Sequence, residues 1–134
     1  YRKMNFHQHF GEHITIDGYG GDPDKLNNKE FVFDFIDSFP EKLGMNKLSN
    51  TIIEWAEGNE GKDPGGWSAF VMIKESHISI HTFPARGFLS ADVYTCQNGL
   101  DSKQIIAMFT ESFELEEVET NFIKRGVKYL GISK

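Results

Sequence analysis

Residues 74–84 read Lys-Glu-Ser-His-Ile-Ser-Ile-His-Thr-Phe-Pro, and their pattern predicts the kind of sheet on which the chain is built. In a strand, the side chains of His77, Ser79 and His81 fall on one face and the two intervening isoleucines on the other. An apolar face opposite a polar face is typical of an antiparallel sheet that is covered on one side only. The polar face is either a solvated surface or a functional site, and the spacing alone leaves both interpretations open.

Strand-like runs also occur on both sides of this stretch. Segments of alternating or β-branched residues, bounded by glycine, proline and polar residues, predict strands at 10–18, 50–56, 67–74, 77–83 and 88–96. Residues 114–129 are expected to add one or two more. The sequences GYGGDPD at 18–24 and EGNEGKDPGG at 57–66 predict a turn and a loop, respectively.

Two segments have helical spacing of apolar residues. In residues 27–40, Asn27 or Asn28 is expected to cap a helix and Pro40 to end or kink it. Residues 101–113 predict a second helix. Because strands come in runs and helices are few, the sequence predicts an α+β fold with helices on one face of a mostly antiparallel sheet.

Length and composition exclude several classes of protein. The 134 residues are one domain's worth of chain, and 39% hydrophobic with 25% charged residues is typical of a globular protein. No apolar run has the roughly 18 to 20 residues of a membrane helix, and the first ten residues lack a signal-peptide core, so we expect no membrane partner. A net charge of −6 argues against non-specific nucleic-acid binding and is compatible with a cationic small substrate.

The histidines were considered as metal ligands. His77 and His81 lack a third ligand on their own strand, so a metal site would need His7, His9 or His13 from elsewhere. A frayed, solvated terminus accounts more simply for the first two of these. We therefore expect no metal.

Cys96 is the single cysteine of the chain, which excludes an internal disulfide framework and indicates a reducing cytoplasm as the location. Alternation places its side chain on the same strand face as Asp92 and Tyr94. A lone cysteine is more often a small buried apolar residue than a reactive one. A meeting of Cys96 with His81 across neighbouring strands would change that interpretation, but sequence does not determine it.

The polar strand and the run that follows it form a long motif of the pattern Glu-Ser-His-x-x-x-His-Thr-aromatic-Pro, then Asp-x-aromatic-x-Cys. This motif resembles the core of the prokaryotic S-adenosylmethionine decarboxylase proenzymes. Gly11-x-His13 with Asp17 also resembles the first strand of that family, and the chain length and order of elements agree. The residues that carry the motif are Glu75, Ser76, His77, His81, Thr82, Phe83, Pro84, Asp92, Tyr94 and Cys96.

The resemblance implies a single two-layer α+β domain, residues 1–134, that cleaves itself between Glu75 and Ser76. The Ser76 hydroxyl would attack the Glu75 carbonyl, and elimination and hydrolysis would leave a pyruvoyl group at residue 76. The products would be a β chain of residues 1–75 and an α chain of residues 76–134. The self-made pyruvoyl group would replace pyridoxal phosphate as the electron sink for decarboxylation, with no metal.

The resemblance also assigns roles to three further residues. Ser68 and His81 match residues that assist processing, Ser68 also helping to position the pyruvoyl group. Cys96 matches the acid that protonates the product, a role that a thiol of ordinary pKa near 8.5 can fill. Because Ser76 and His81 are five residues apart, an ideal strand would place them on opposite faces, so we expect a bend at Ser76 or a rearrangement after cleavage.

The implied substrate is S-adenosylmethionine, bound by residues among Asp17, Trp67, Phe83 and the position of Ala85. In the family an acidic residue that is associated with the ribose hydroxyls follows the motif's proline, whereas here that position is Ala85. Some relatives decarboxylate arginine or ornithine. Those substrates share the amino-acid head of S-adenosylmethionine and lack its nucleoside. The alternative substrate is therefore L-ornithine or L-arginine, with Asp17, Glu12, Glu54 and Glu57 as candidates to bind the cationic end.

The family's prokaryotic members pair as dimers with active sites at or near the interface, so a second copy of the chain is the expected macromolecular partner. A further interpretation is that the chain is an unprocessed, non-catalytic partner of another subunit. Retention of Ser68, Glu75, Ser76, His81 and Cys96 argues against it. A plain nucleotide- or polyamine-binding module would also remain uncleaved and has less support.

Overall fold

The structure, a computed structural model, describes residues 9–62, 64–74 and 76–129. Within them, six strands form one sheet of order β2-β3-β4-β5-β1-β6, and neighbouring strands all pair antiparallel. The strands are β1 (Gly11–Tyr19), β2 (Ile52–Ala56), β3 (Gly66–Ile73), β4 (Ser76–Phe83), β5 (Phe88–Thr95) and β6 (Glu117–Arg125). The helices are α1 (Pro23–Leu26), α2 (Lys29–Lys42) and α3 (Ser102–Phe113), with a 3-10 turn at Pro84–Arg86.

The two longer helices begin at side-chain caps. The Asn28 carboxamide oxygen accepts a hydrogen bond from the Phe31 amide at 3.0 Å, and the Asp101 carboxylate accepts one from the Gln104 amide at 3.1 Å. Each bond satisfies an amide that the first turn of a helix leaves without an intrahelical partner. Of the two predicted caps, Asn28 is therefore the one that caps α2. The helix α3 begins directly after its cap, Asp101.

The hydrophobic core lies between these helices and one face of the sheet. Phe35 and Phe39 of α2 contact Phe109 and Phe113 of α3 through ring pairs with centroids 4.9 to 5.2 Å apart. Beneath them the inward-facing residues of the central strands are almost completely buried. These strand residues are Ile14, Ile16, Val71, Ile73, Ile78, Ile80, Leu89 and Val93.

The opposite face of the sheet carries no helix within the described residues, and we call it the open face. The odd-numbered residues of β4, from His77 to Phe83, have side chains on this face, while Ile78 and Ile80 are buried on the other. The alternation predicted from residues 74–84 is therefore confirmed, and with it the α+β class. No helix in the described part of the chain is long and apolar enough to cross a membrane.

Two local features differ from the sequence prediction. The predicted turn at 18–24 contains the short helix α1, because Asp22 accepts a hydrogen bond from the Asp24 amide and Pro23 occupies its first position. Helix α2 continues past Pro40 to Lys42 and closes with Leu43 and Met45 amides bonded to the Pro40 carbonyl. Residues 114–129, for which one or two strands were expected, contribute one, β6.

Candidate functional site

Ser76 is the first residue of β4 and directly follows a tight hairpin. Ile73 of β3 pairs with Ser76, so residues 74 and 75 alone connect the two strands. Glu75, the predicted upstream side of the cleaved bond, lies outside the described residues. The Cys96 thiol donates to the Lys74 carbonyl oxygen across 3.9 Å, which places the sulfur against this hairpin. The structure thus brings Cys96 to the segment that carries Ser76.

Ser68 and His81 form a second polar group on the open face. They are cross-strand partners in the β3–β4 ladder, and Ser68 Oγ lies 2.8 Å from His81 Nδ1. Near this pair, β3 approaches β4 so closely that a Cβ at Gly66 would lie 1.7 Å from the Thr82 carbonyl oxygen. Only glycine fits at that position, so Gly66 allows the close approach of β3 to β4 beside the Ser68–His81 pair.

The two groups lie at opposite ends of β4. Ser76 starts the strand and His81 lies five residues further on, which corresponds to about 16 Å along an extended strand. Their parity differs as well, so their side chains leave the strand on opposite faces. The structure shows no bend within β4, which runs without interruption from Ser76 to Phe83. The other expectation, a rearrangement after cleavage, stays a prediction. Within this uncleaved chain, Cys96 therefore does not meet His81.

Between the two groups, a carboxylate on the open face collects hydrogen bonds from three side chains. Asp92 Oδ2 lies 2.8 Å from His13 Nε2 and 3.2 Å from His77 Nε2, and Asp92 Oδ1 accepts a hydrogen bond from Ser79 Oγ. Arg125 Nη1 lies 2.9 Å from His13 Nδ1. Because a guanidinium can only donate, His13 Nδ1 must accept, and the ring proton of His13 is on Nε2, directed at Asp92.

The charge state of Asp92 follows from these partners. Burial of the carboxyl would raise its pKa, but hydrogen bonds from Ser79, His13 and His77 outweigh burial, and the pKa of Asp92 is lowered from its ordinary value. Asp92 is therefore ionised at neutral pH. Its side chain is 23% exposed, and those of His13 and His77 are 16% and 31% exposed.

His13, His77 and Asp92 also have the composition of a metal site. One ligand atom from each lies within 4.8 Å of the others. The sequence named His13 as a possible ligand, but the structure pairs it with His77 and not with His81. A divalent cation would have to displace the Nε2 proton of His13 and the guanidinium beside it, so the observed arrangement favours a hydrogen-bond network.

Glu12 and His9, two other residues predicted as ligands, have a structural role instead. Glu12 is buried and accepts hydrogen bonds from His9 and from the Gly99 and Leu100 amides. These bonds counter burial and lower the pKa of Glu12. Glu12 is thus not available to bind the cationic end of a substrate. His7 lies outside the described residues.

Asp17 lies in a polar depression beside His81. Its strand partner is Ser90, which in turn pairs with His81, so the three side chains form a row across the open face. The depression has a volume of about 270 Å³ and also includes Asp92. Of the residues predicted to bind substrate, Asp17 therefore shares this depression with His81, with Ser90 between them.

The remaining predicted substrate residues are dispersed. Phe83 lines a cavity of about 580 Å³ with Lys62, Arg86 and Phe88, one step along the strands from His81. Ala85 lines a different cavity of about 360 Å³. Trp67 is on the helix-covered face, where its indole Nε1 donates to the Asn27 carbonyl at 2.9 Å, so the geometry does not bring it to Ser68 and His81.

Sequence reasoning did not identify Asp92 and Arg125 as site residues. Asp92 was placed on the face of Cys96, and pairing that face with the polar face of β4 would have brought it to Ser79 and His77. No sequence pattern indicated that Arg125 belongs to the site, because the position of β6 beside β1 follows from the sheet order and not from any local pattern.

Residues 12–126 match the family model described as S-adenosylmethionine decarboxylase. A protein from Clostridium botulinum (strain Loch Maree / Type A3), named S-adenosylmethionine decarboxylase proenzyme, is 34% identical over 116 residues, which are 87% of this chain and 94% of that protein. A protein of the same name from Clostridium kluyveri (strain NBRC 12016) is 34% identical over 118 residues, 87% of each chain.

A solved structure has the same architecture. The adenosylmethionine decarboxylase from Aquifex aeolicus superposes with a TM-score of 0.75 and is 25% identical in sequence. The match covers 89% of this chain and 92% of that one. The antiparallel sheet and its helices are therefore shared with this structure over nearly the full length of both chains.

The hydrogen bonds to Asp92 predict a pH-dependent contribution to stability. Since the folded pKa is lowered, the contribution is present above the unfolded value of about 3.9 and is lost as pH falls through the folded pKa. In a Ser76→Ala background, which would block the predicted self-cleavage, Asp92→Asn should lower the unfolding free energy by about 1–3 kcal/mol at pH 6. The difference should shrink below about pH 4. Urea unfolding at several pH values measures it.

Asp17→Asn is the matched control for this measurement, because Asp17 is on the same face and accepts no hydrogen bond from the described residues. It should change stability little at any pH. A difference in unfolding free energy between Asp92→Asn and its parent that stays constant from pH 3 to pH 6 would contradict the assigned role of the Asp92 charge.

Proposed function

Because the chain belongs to the S-adenosylmethionine decarboxylase family, we propose that it is a self-processing, pyruvoyl-dependent decarboxylase whose substrate is S-adenosylmethionine. The products would be CO2 and decarboxylated S-adenosylmethionine, an aminopropyl donor for polyamine synthesis in the cytoplasm. The observation that carries the proposal is the position of the Cys96 thiol, 3.9 Å from the carbonyl oxygen of Lys74 in the hairpin before Ser76. A proton donor and the serine to be converted thus occupy one end of the sheet.

Processing requires no partner molecule other than water. Ser76 Oγ attacks the carbonyl carbon of Glu75, and the peptide nitrogen leaves that carbon to give an ester. Loss of the Ser76 α-proton then expels the Glu75 carboxylate and leaves dehydroalanine at residue 76. Water converts this residue to a pyruvoyl group and releases ammonia. The Ile73–Ser76 pair is the last of the β3–β4 ladder, so the bond before Ser76 is not part of that ladder, which suits this reaction.

The residues around Ser76 fit the group that would form there. When present, a pyruvoyl group supplies a ketone that takes up the substrate's amine and accepts the electrons released with CO2. Cys96 would deliver a proton to the substrate's α-carbon, and the contact of its sulfur with the segment next to residue 76 supports that role. Ser68 and His81 hold each other through the bond of 2.8 Å and would assist the elimination step and position the new carbonyl.

The distance between these groups supports a dimer with shared sites. About 16 Å of extended strand separates Ser76 from His81 in one chain, too far for both to contact one reacting group. The open face carries exposed apolar side chains, among them Phe70 and Met72, which a second copy would cover. We infer that Ser76 and Cys96 of one protomer meet Ser68 and His81 of its partner.

A second candidate substrate class has one specific observation in its favour. Ala85 offers no acceptor to a ribose, while the carboxylate of Asp17 lies in an open depression beside His81. A guanidinium or ammonium group would complement Asp17, so L-arginine or L-ornithine is the alternative substrate. An unprocessed, non-catalytic partner subunit is the remaining alternative.

The first prediction concerns cleavage. Purified protein should give two chains on denaturing intact-mass measurement, split between residues 75 and 76, with the second chain lacking a free amine at its first residue. Ser76→Ala should give one chain of full mass and no CO2 release, because the attacking hydroxyl is gone. Ser79→Ala is the control and should still cleave. A wild-type chain that stays uncut for days would contradict the proposal and favour the non-catalytic partner.

The second prediction tests the shared site. Cys96→Ala and His81→Ala chains should each have little activity alone. When they are co-expressed, random pairing makes half of the dimers mixed, and one site in each mixed dimer regains both residues, so about a quarter of the wild-type activity should return. No recovery, despite mixed dimers seen by native mass measurement, would show that each site lies within one chain.

The third prediction concerns the substrate. Release of labelled CO2 from S-adenosylmethionine, L-ornithine and L-arginine should be greatest with S-adenosylmethionine. Ala85→Glu restores a ribose acceptor and should raise kcat/KM for S-adenosylmethionine about tenfold, as expected for one hydrogen bond to a charged group. Ala85→Gln controls for size. Turnover of ornithine or arginine, with none of S-adenosylmethionine, would overturn the default substrate in favour of the alternative.

A further inference from the structure

A continuous series of side-chain contacts crosses five of the six strands on the open face. The Phe70 ring of β3 stacks on His77 of β4, with ring centroids 5.4 Å apart and 27° between the planes. His77 bonds to Asp92 of β5, Asp92 to His13 of β1, and His13 to Arg125 of β6. None of these five residues has a role in the proposed chemistry.

Every hydrogen bond in this series has a fixed direction. Arg125 donates to His13, and His13, His77 and Ser79 all donate to Asp92, which as a carboxylate can only accept. Hydrogen bonds to an ionised acceptor are about twice as strong as those between neutral groups. The series therefore holds the His77 ring from two sides, by Asp92 at Nε2 and by Phe70 against its face.

The position of His77 becomes important once the chain is cut. Cleavage before Ser76 converts the β3–β4 hairpin into two chain ends, and the Ile73–Ser76 pair becomes the terminal pair of the ladder. Chain ends fray unless side chains or neighbouring strands hold them. His77 is the residue next to the reacting group, and its side chain is the nearest one on the open face of the new chain.

We propose that His77 is a positioning residue, which Asp92 and Phe70 hold so that the pyruvoyl group at residue 76 stays aimed at Cys96 after cleavage. This inference rests on the proposed function. It adds a positioning residue to the site and a route by which the enzyme is inactivated when that residue is lost. With His77 held, the proton goes to the substrate's α-carbon and the group at residue 76 is regenerated.

Loss of this hold has a defined chemical consequence. If the end of the chain moves, the proton reaches the carbon of residue 76 instead of the substrate's α-carbon. The substrate's nitrogen then remains on residue 76 as the amine of an alanyl terminus, water supplies the oxygen of an aldehyde product, and the enzyme is inactive. The number of turnovers before this event therefore measures how well the terminus is positioned.

The test compares His77→Ala with His77→Gln, whose amide can still donate to Asp92. The readout is the fraction of 76–134 chains that acquire a reactive terminal amine, counted against CO2 released. His77→Ala should be cleaved but should inactivate after about tenfold fewer turnovers, as expected for a small displacement of a reacting group. His77→Gln should lie within about twofold of wild type, since the bond to Asp92 is kept.

Met72→Leu is the matched control, because Met72 is the cross-strand partner of His77, is 45% exposed and lies on the same face, and leucine keeps the apolar surface offered to a second copy. It should inactivate at the wild-type frequency. The proposal fails if His77→Ala keeps the wild-type ratio, if His77→Gln is as defective as His77→Ala, or if Met72→Leu shows the same loss. Loss of wild-type turnover on chelation, restored by Zn2+, would instead show that His13, His77 and Asp92 hold a metal.

A second measurement separates this inference from the proposed function. In the uncleaved Ser76→Ala protein, amide hydrogen exchange at residues 77–80 reports how firmly the start of β4 is held. His77→Ala should speed that exchange several-fold, and His77→Gln and Met72→Leu should not. Unchanged exchange in His77→Ala would overturn the positioning role, even if the wild-type chain is cleaved and active. Faster exchange in His77→Ala together with an uncleaved wild-type chain would support the hold on His77 by Asp92 and Phe70 and would reject the decarboxylase.

Discussion

One-sided burial of the sheet is the constraint on which the rest of this structure depends. Phenylalanines of α2 and α3 cover one face, so the central strands bury their isoleucine, leucine and valine side chains there and are free to vary on the other face. At about 25 cal/mol per Å² of apolar surface removed from water, a few large buried rings outweigh any local preference of the strands. The histidines, serines and aspartates lie together on the open face because the other face of the sheet packs against the helices.

The same constraint separates the groups that the proposed chemistry needs. Alternation along β4 puts His77, Ser79 and His81 on the open face and sends Ser76 to the other side. A bend would bring Ser76 and His81 closer only by breaking the ladders on both sides of β4, which pair with β3 and β5 along most of its length. The proposed dimer, in which a second copy supplies the missing residues, would keep those ladders intact.

Much of this arrangement could be predicted from the sequence, for physical reasons that differ between elements. The faces of β4 were predictable because alternation is local, and the two long helices because their caps and apolar spacing are local. Helix α1 was missed because its Asp-Pro start is also typical of a turn. The clustering of Asp92 with His13 and Arg125 depends on the strand order, in which β1 lies between β5 and β6. Such long-range pairing leaves no trace in a single sequence.

The strand order has one more consequence, which concerns what a cut between residues 75 and 76 would leave behind. The first fragment would contain β1, β2 and β3, and the second β4, β5 and β6, yet in the sheet these strands are interleaved as β2-β3-β4-β5-β1-β6. Three of the five ladders would then join different fragments, namely β3–β4, β5–β1 and β1–β6. Neither fragment could leave without dismantling the sheet. The severed molecule would stay a single cooperative unit, but its reassembly from denaturant would be bimolecular and would depend on concentration.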